Sequence, residues 1–344
     1  MFSVDSLKGM FKGNAGREKT PVGLNLGGST VKMAKLKVLS DKVELCGYSV
    51  EPTPLDLEEL LRKIAHAHEI SAVNISVSGQ QAIIRYIDFP RMTIGELRQA
   101  LKFEAQKYIP FPVADVSLDA TILREDLPDN KMRVLLAAVK KEFLDQRLKL
   151  LMAAGLSVNV VDIDSLALIN AFNHNYGDEE SLKNKSVALL NIGSATSNLN
   201  IIENRLPALS RDLPIAGNHL TQRIADVFTI DFKAAEELKV AGDKPQAEKI
   251  TAAIEPVVTK LAKEVRTSFD YYESRSVASV EKIYLSGGGS MHAGLKESLA
   301  AMVGVEVDNW DPLRRIVLAE GIDPVKVKAV SGQLAVAVGL ALRR

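Results

Sequence analysis

Alternation of apolar and polar positions dominates the first part of the chain. Val22, Leu24 and Leu26 are apolar at every second residue, with Gly23 and Asn25 between them. Gly27-Gly28-Ser29-Thr30 interrupts the pattern, and Val31, Met33 and the run to Val38 resume it. A period of two on both sides of a glycine turn predicts two strands joined as a hairpin. The period then lengthens: Asp56 is placed to cap a helix with Glu59 three residues on, and Leu57, Leu60, Leu61 and Ile64 form its apolar stripe. Val73 to Val77 returns to a strand.

Ile83 to Pro90 predicts a strand that proline ends. Thr93 with Glu96 reads as a capping box, and Met92 and Leu97 are placed as a hydrophobic staple. Ile94, Leu97, Leu101, Ala105 and Tyr108 continue one helical face until Pro110 and Pro112 stop it. Strands follow over Val116 to Leu123 and Met132 to Val139, separated by the turn-rich Glu125 to Asn130. A helix from Lys141 to Ala154 closes at Gly155, a natural C′ residue. This β-α-β-β-α run reads as an inserted subdomain.

The second half opens like the first. Val187 to Ile192 and Ser197 to Ile202 predict strands around Gly193-Ser194-Ala195. Setting Asn25 on Asn191 also sets Gly27 on Gly193 and Gly28 on Ser194, so both copies read apolar-Asn-apolar-Gly-small-small. Two related turns, each opening one half of the chain, predict a duplicated two-lobed fold. Helical patterns then run from His219 to Tyr272. Pro256 suits the first turn of a helix with the stripe Val258, Leu261, Ala262, Val265, Phe269 and Tyr272. Lys282 to Leu285 is a strand that runs into Ser286-Gly287-Gly288-Gly289-Ser290.

Composition narrows the class. With 344 residues, 47% of them hydrophobic and 25% charged, the chain is globular and large enough for more than one domain. Lys plus Arg and Asp plus Glu are 43 each, so no net field draws the molecule to nucleic acid or an anionic membrane. Cys46 stands alone, which excludes an internal disulfide, and the five histidines lack metal-ligand spacing, so no resident metal site is expected. The most apolar stretch, Leu334 to Leu342, falls well short of the ~20 residues of a spanning helix. Near the N-terminus Phe2, Leu7, Met10 and Phe11 share a face with Lys8 and Lys12 beside it, read either as an amphipathic arm or as a frayed end. A soluble cytoplasmic chain is expected.

Three glycine-bearing turns follow strands: Gly27 to Thr30, Gly193 to Ala195, and Gly287 to Gly289. Consecutive amides at such turns form an anion-binding concavity, and glycine lets a ligand approach the backbone. Neither GxxxxGK[ST] nor GxGxxG occurs, which excludes a P-loop or a dinucleotide fingerprint. Two similar hairpins facing each other would grip phosphates from both sides, with the third turn against a nucleoside.

The longer motifs carry a resemblance. They are Val22-Gly-Leu-Asn-Leu-Gly-Gly-Ser-Thr-Val-Lys-Met-Ala34, Ile87-Asp-Phe-Pro-Arg-Met-Thr-Ile-Gly-Glu-Leu97 and Phe103-Glu-Ala-Gln-Lys-Tyr-Ile-Pro-Phe111. Leu135 to Lys141, Ala154 to Leu156, Ala235 to Lys239, Glu264 to Tyr272 and Ala337 to Arg343 support them in order and spacing. Beyond residue 20 the chain resembles the PilM family of actin-like type IV pilus assembly proteins, and more distantly FtsA. The resemblance implies an α/β, two-lobed actin-like ATPase fold of duplicated ribonuclease-H-like domains with a FtsA/PilM-type inserted subdomain. Its parts would be a flexible arm over 1–20, a first lobe over 21–80 and 155–185, the inserted subdomain over 81–154, and a second lobe over 186–344. The second lobe's helical subdomain would occupy about 216–280.

It further implies ATP or ADP in the cleft. Asn25, Gly27, Gly28, Ser29 and Lys32 would meet phosphates from one side and Asn191, Gly193, Ser194 and Ser197 from the other. Gly287, Gly288 and Gly289 would border the adenosine, with Glu236 and Lys239 near the ribose or base. Asp164 occupies the place where relatives orient the attacking water. Each of the last residues has a plainer reading: Lys32 as an exposed strand residue, Glu236 and Lys239 as a solvated ion pair, Asp164 as a helix N-cap. Relatives usually carry Asp where this chain has Asn25, and commonly where it has Asn191. An amide supplies a neutral oxygen and no charge, so Mg²⁺ organisation and hydrolysis are expected to be weak.

The implied role is a nucleotide-binding adaptor at the inner face of the bacterial inner membrane, bound to the N-terminal cytoplasmic peptide of PilN. Through PilN it would reach PilO and PilP, and it would communicate with pilus motor ATPases. The competing readings are a type II secretion homologue, a self-assembling FtsA-like filament, and a small-molecule kinase. The last needs a carboxylate base that neither phosphate turn supplies.

Overall fold

In the computed structural model the described residues are 20–241, 246–292 and 294–343. The N-terminal arm therefore lies, Thr20 apart, outside them. The first hairpin forms where alternation predicts it. Strands β1 (Val22–Leu26), β2 (Thr30–Val38) and β3 (Val43–Pro52) make an antiparallel meander. Helix α1 (Leu57–Ala67) begins with Asp56 accepting from the Glu59 amide at 3.0 Å, and β4 (Ala72–Val77) follows, parallel to β1.

The chain then leaves the sheet. Strand β5 (Ala82–Pro90), helix α2 (Ile94–Glu104) and strands β6 (Val116–Leu127) and β7 (Lys131–Lys140) build a three-stranded sheet in the order β5-β7-β6. The capping box is present: the Thr93 amide donates to Glu96 Oε2 at 2.7 Å, and the Glu96 amide to Thr93 Oγ1 at 3.3 Å. Leu97 and Leu101 pack α2 against this sheet. Helix α3 (Lys141–Ala153) carries the chain back, its buried Leu151 joining Leu24, Leu61 and Ile75 on the outer face of the first sheet. Strand β8 (Ser157–Ile163) pairs with β4 in parallel and leads into helix α4 (Asp164–Tyr176).

The second half repeats the plan. Strands β9 (Ser186–Ile192), β10 (Ser197–Glu203) and β11 (Leu206–Leu213) form an antiparallel meander. Helices α5 (Gly217–Phe228), α6 (Phe232–Ala241) and α7 (Ala247–Glu273) separate it from β12 (Val280–Ser286), parallel to β9. Helix α8 (Leu295–Val303) and strand β13 (Glu306–Asn309) complete the sheet β11-β10-β9-β12-β13. The first sheet has the same order, β3-β2-β1-β4-β8, so the two halves share one topology.

Two expectations change. Pro256 lies inside α7, not in its first turn. Buried Ile250, Ala253 and Ile254 extend the apolar stripe upstream, and their packing offsets the hydrogen bond that proline removes. The C-terminal part of 186–344 also does not stay with the second sheet. Strand β14 (Ile316–Leu318) pairs with β3, and after α9 (Pro324–Val330) helix α10 (Ala335–Ala341) packs between β1 and α4. Close approach explains the glycine there: a Cβ on Gly339 would lie 1.8 Å from the Ala167 carbonyl oxygen. Beyond α10, Arg343 Nε sits 2.9 Å from Asp162 Oδ2. The angles fall outside hydrogen-bond geometry, so the attraction is Coulombic between two buried groups.

Candidate functional site

The duplicated hairpins turn alike. The Gly27 amide donates to the Thr30 carbonyl at 3.1 Å, and the Gly193 amide to the Thr196 carbonyl at 3.2 Å. In each hairpin the asparagine pairs with the residue seven positions on: Asn25 with Lys32, Asn191 with Asn198. The turns meet across the cleft, for a Cβ on Gly28 would lie 3.4 Å from Ser194 Oγ. Neighbours hold their carbonyls: the Gly27 and Ser29 oxygens accept from Thr53 Oγ1 and N at 3.0 and 2.9 Å. The Gly193 and Ser194 oxygens accept from the Gly217 and Asn218 amides, each at 2.8 Å. With the Gly27 and Gly193 amides closing the turns, what each turn can offer a ligand is the N–H of the residues that follow, the group an anion seeks.

The floor of the first half carries charge. Asp164 Oδ1 accepts from Asn25 Nδ2 at 3.3 Å and from Ser76 Oγ. It does not cap α4, whose cap residue is Ile163; the side chain is spent on β1 and β4, and the N-cap reading is corrected. Lys32 is not an exposed strand residue either. It is half-buried, and a Cβ on Gly27 would lie 2.6 Å from its Nζ, so the ammonium folds back over the first turn. Burial pushes its pKa down from the ordinary lysine value, and the Asp164 carboxylate opposes that shift.

In the second half the two paired residues under the turn are both neutral amides. Asn191 Nδ2 donates to Asn198 Oδ1 at 3.4 Å, and Asn191 Oδ1 accepts from Ser286 Oγ at 3.2 Å. Asn198 Nδ2 in turn donates to Asp212 Oδ1. Ser197 departs from its expected place: it is fully buried, and its hydroxyl donates to the Ile215 carbonyl at 2.6 Å, away from the phosphate turn.

The third turn closes on both. Gly287 has φ +86°, and a Cβ there would meet the Ile192 carbonyl oxygen at 2.4 Å and Asn191 Oδ1 at 2.9 Å, so only glycine fits. Its amide donates to the Gly332 carbonyl at 2.9 Å, and Gly288 lies against Gln333. Gly289 approaches Gly217, the first residue of α5. From there Thr221 Oγ1 reaches the Gly217 carbonyl at 3.1 Å and Glu236 Oε2, while Lys239 Nζ donates to Thr221 Oγ1 at 2.7 Å and Glu236 Oε2 at 2.6 Å. The ion pair exists and is solvated on one side: Lys239 and Thr221 are buried, while the Glu236 side chain is 44% exposed. His292 follows the third turn, its pKa lowered by burial and by the Lys239 charge.

Ser76, Thr221 and Asn198 belong to this constellation, with Asp212 behind it on the far side of Asn198, and none of the four is singled out in the sequence. Asn198 had a signal, since the duplication sets it on Lys32. Asp212 had none, because it comes from a third strand with no marked counterpart.

Comparison with known proteins fits this architecture. A PilM–PilN type IV pilus biogenesis complex matches with a TM-score of 0.84 and 27% identity, over 95% of this chain and 99% of that one. The ethanolamine utilization protein EutJ from Carboxydothermus hydrogenoformans shares the fold at a TM-score of 0.58 and 15% identity, over 96% of this chain and 92% of that one. A curated relative, the methylenetetrahydrofolate–tRNA-(uracil-5-)-methyltransferase TrmFO of Nitratidesulfovibrio vulgaris (strain DP4), is 32% identical over 123 residues. That is 33% of this chain and 25% of the relative's length, a partial likeness that carries no activity across. The fold is the two-lobed actin-like ATPase fold. The family model described as type IV pilus assembly protein PilM matches residues 23–344, and the chain belongs to that family.

Proposed function

We propose that this pilus assembly protein is a nucleotide-binding adaptor that takes ATP in the cleft and binds the N-terminal cytoplasmic peptide of PilN. The observation that carries the nucleotide is the facing pair of turns, Gly28 against Ser194, with their carbonyls tied away and Lys32 folded over the first. Gly27, Gly28, Ser29 and Lys32 would hold phosphates from one lobe and Gly193 and Ser194 from the other. Gly287 to Gly289, with Glu236 and Lys239, would border the nucleoside. The PilM–PilN complex, similar over nearly the whole chain, supports the partner. Through PilN the adaptor would sit at the inner face of the membrane; among the described residues no helix is long and apolar enough to cross one.

The donor set does not suit magnesium well. Hard divalent cations favour carboxylate and water oxygens. Here Asn25 and Asn191 offer amides, Asp164 Oδ1 already serves Ser76 and Asn25, and the Lys32 ammonium lies within Coulombic reach of the same carboxylate. Phosphoryl transfer depends on charge neutralisation and a positioned nucleophile, so binding without appreciable hydrolysis follows. The test is to strip the purified protein of nucleotide and titrate ATP by equilibrium dialysis with Mg²⁺ and with EDTA. Binding in both, within about threefold, with ATP recovered intact, is expected; no binding in either would sink the nucleotide reading. A labelled PilN N-terminal peptide titrated into the same protein tests the partner.

A further inference from the structure

The side chains at the floor of the second half do not end at the cleft. Asn191 holds Asn198, and Asn198 holds Asp212 Oδ1. The other oxygen, Asp212 Oδ2, accepts from the Gly79 amide at 2.9 Å. Gly79 belongs to the first lobe and opens the turn that leads into β5, the strand that begins the inserted sheet. One carboxylate thus joins the strand pair beneath the second phosphate turn to the root of the inserted sheet. Other ties cross the same boundary, namely Tyr86 Oη with Ser210 Oγ at 2.8 Å and Arg124 with Glu203 at 3.6 Å. A cavity of about 260 Å³ lies beside Asp212, lined by Gly79, Ile84, Ser165 and Ser210. The root of the sheet packs on the first lobe through Ala82 and Ile84 against Val77 and Ile163, while toward the second lobe it meets these polar ties beside the cavity.

We infer that Asp212 is a positioning residue that couples occupancy of the second phosphate turn to the loop at the root of the inserted sheet. Phosphates seated on Gly193 and Ser194 fix the β9–β10 turn, and the Asn191–Asn198 pair directly below it keeps Asp212 in register. Asp212 then holds the Gly79 amide. By linkage, whatever the inserted sheet binds would change nucleotide affinity by the same factor. The inference rests on the nucleotide reading above and adds the route by which the nucleotide would be felt elsewhere.

The experiment is amide hydrogen exchange of the full chain, followed on peptides covering 79–90, with and without saturating ATP whose binding is checked by dialysis. In the wild type ATP should slow exchange there by about fivefold or more, the lower end of ordinary coupling. Asp212→Ala should bind ATP and lose that response, while peptides at 193–197 keep theirs. Asp212→Asn, which preserves shape and leaves fewer acceptor sites, should show a partial loss and serves if the alanine variant does not fold. Tyr86→Phe, which cuts a neighbouring tie without touching Asn198, should respond like the wild type. A response at 79–90 that survives in Asp212→Ala and Asp212→Asn, or one lost equally in Tyr86→Phe, overturns the inference. Absence of ATP binding by the wild type overturns the nucleotide reading and the inference with it.

Discussion

Lys32→Met tests the charged half of the cleft. The substitution keeps the length of the aliphatic stem and removes the ammonium that lies over Gly27. A hydrogen bond from a charged group contributes about 1.5–3 kcal/mol net, or roughly 10- to 150-fold in affinity. Asp164 already competes for Lys32, so the lower part of that range applies, about 10- to 40-fold weaker ATP binding. The apo protein should lose little, within about 1 kcal/mol, because a half-buried cation carries its own desolvation cost. Burial lowers the Lys32 pKa, so its proton leaves at a lower pH than from a free lysine. Wild-type ATP affinity should therefore fall on the alkaline side earlier than a free lysine would allow, and Lys32→Met should flatten that fall. Equilibrium dialysis as a function of pH, beside urea unfolding of the same variant, gives both quantities. ATP affinity within twofold of wild type across the range would refute the placement of Lys32 at the phosphates.

Gly287→Ala forces a Cβ into the Ile192 carbonyl at positive φ, and should cost about 1–3 kcal/mol in urea unfolding and weaken ATP binding with it. Arg343→Met leaves the Asp162 carboxylate buried without its ion pair, at a cost of about 3–5 kcal/mol. Adding Asp162→Asn should recover most of that loss, and a double-mutant cycle by urea unfolding checks the coupling. Burial raises the Asp162 pKa above the ordinary aspartate range despite Arg343. The folded state then binds this proton more tightly than the unfolded chain. The contribution of the group is greatest below the ordinary value and declines as pH rises through the window up to the raised one. Asp162→Asn should remove that decline from the pH profile of the urea midpoint.

How much of this was legible depended on whether a residue's job was local. The capping box at Thr93, the Asp56 cap and both glycine hairpins are decided within a few residues, and each stands where the sequence places it. Pro256 is misplaced by the sequence, which sets it in a first turn, because the packing of Ile250 and Ile254 that carries α7 past it is a tertiary fact. The return of β14 and α10 to the first lobe was hidden for the same reason: β14 is a three-residue strand with no period to read, and the fit of α10 rests on Gly339 meeting Ala167. At the site, Asp164 fitted a helix-start pattern and its position at the first residue of α4 agrees. Only the approach of Ser76 and Asn25 shows that the side chain faces the cleft.

The duplication also explains why the two halves must do different work. At corresponding hairpin positions the first half has Lys32 and the second Asn198. Each pairs with an asparagine of the phosphate turn, yet one brings a cation and the other a neutral amide. A triphosphate entering between the turns would find its compensating charge on the first lobe alone, while the second lobe supplies amides and shape. Were both halves to carry a carboxylate at 25 and 191, that charge would be cancelled without a bound cation. Amides at both positions would leave Lys32 to act on phosphate directly, with Asp164 the carboxylate that Asn25 and Ser76 hold at the first half's floor. The neutral hairpin is free of that duty, and its Asn198 instead ties to Asp212 and, through it, to Gly79. On the proposed reading, binding without a metal and the tie from this strand pair to Gly79 would both follow from one divergence between copies.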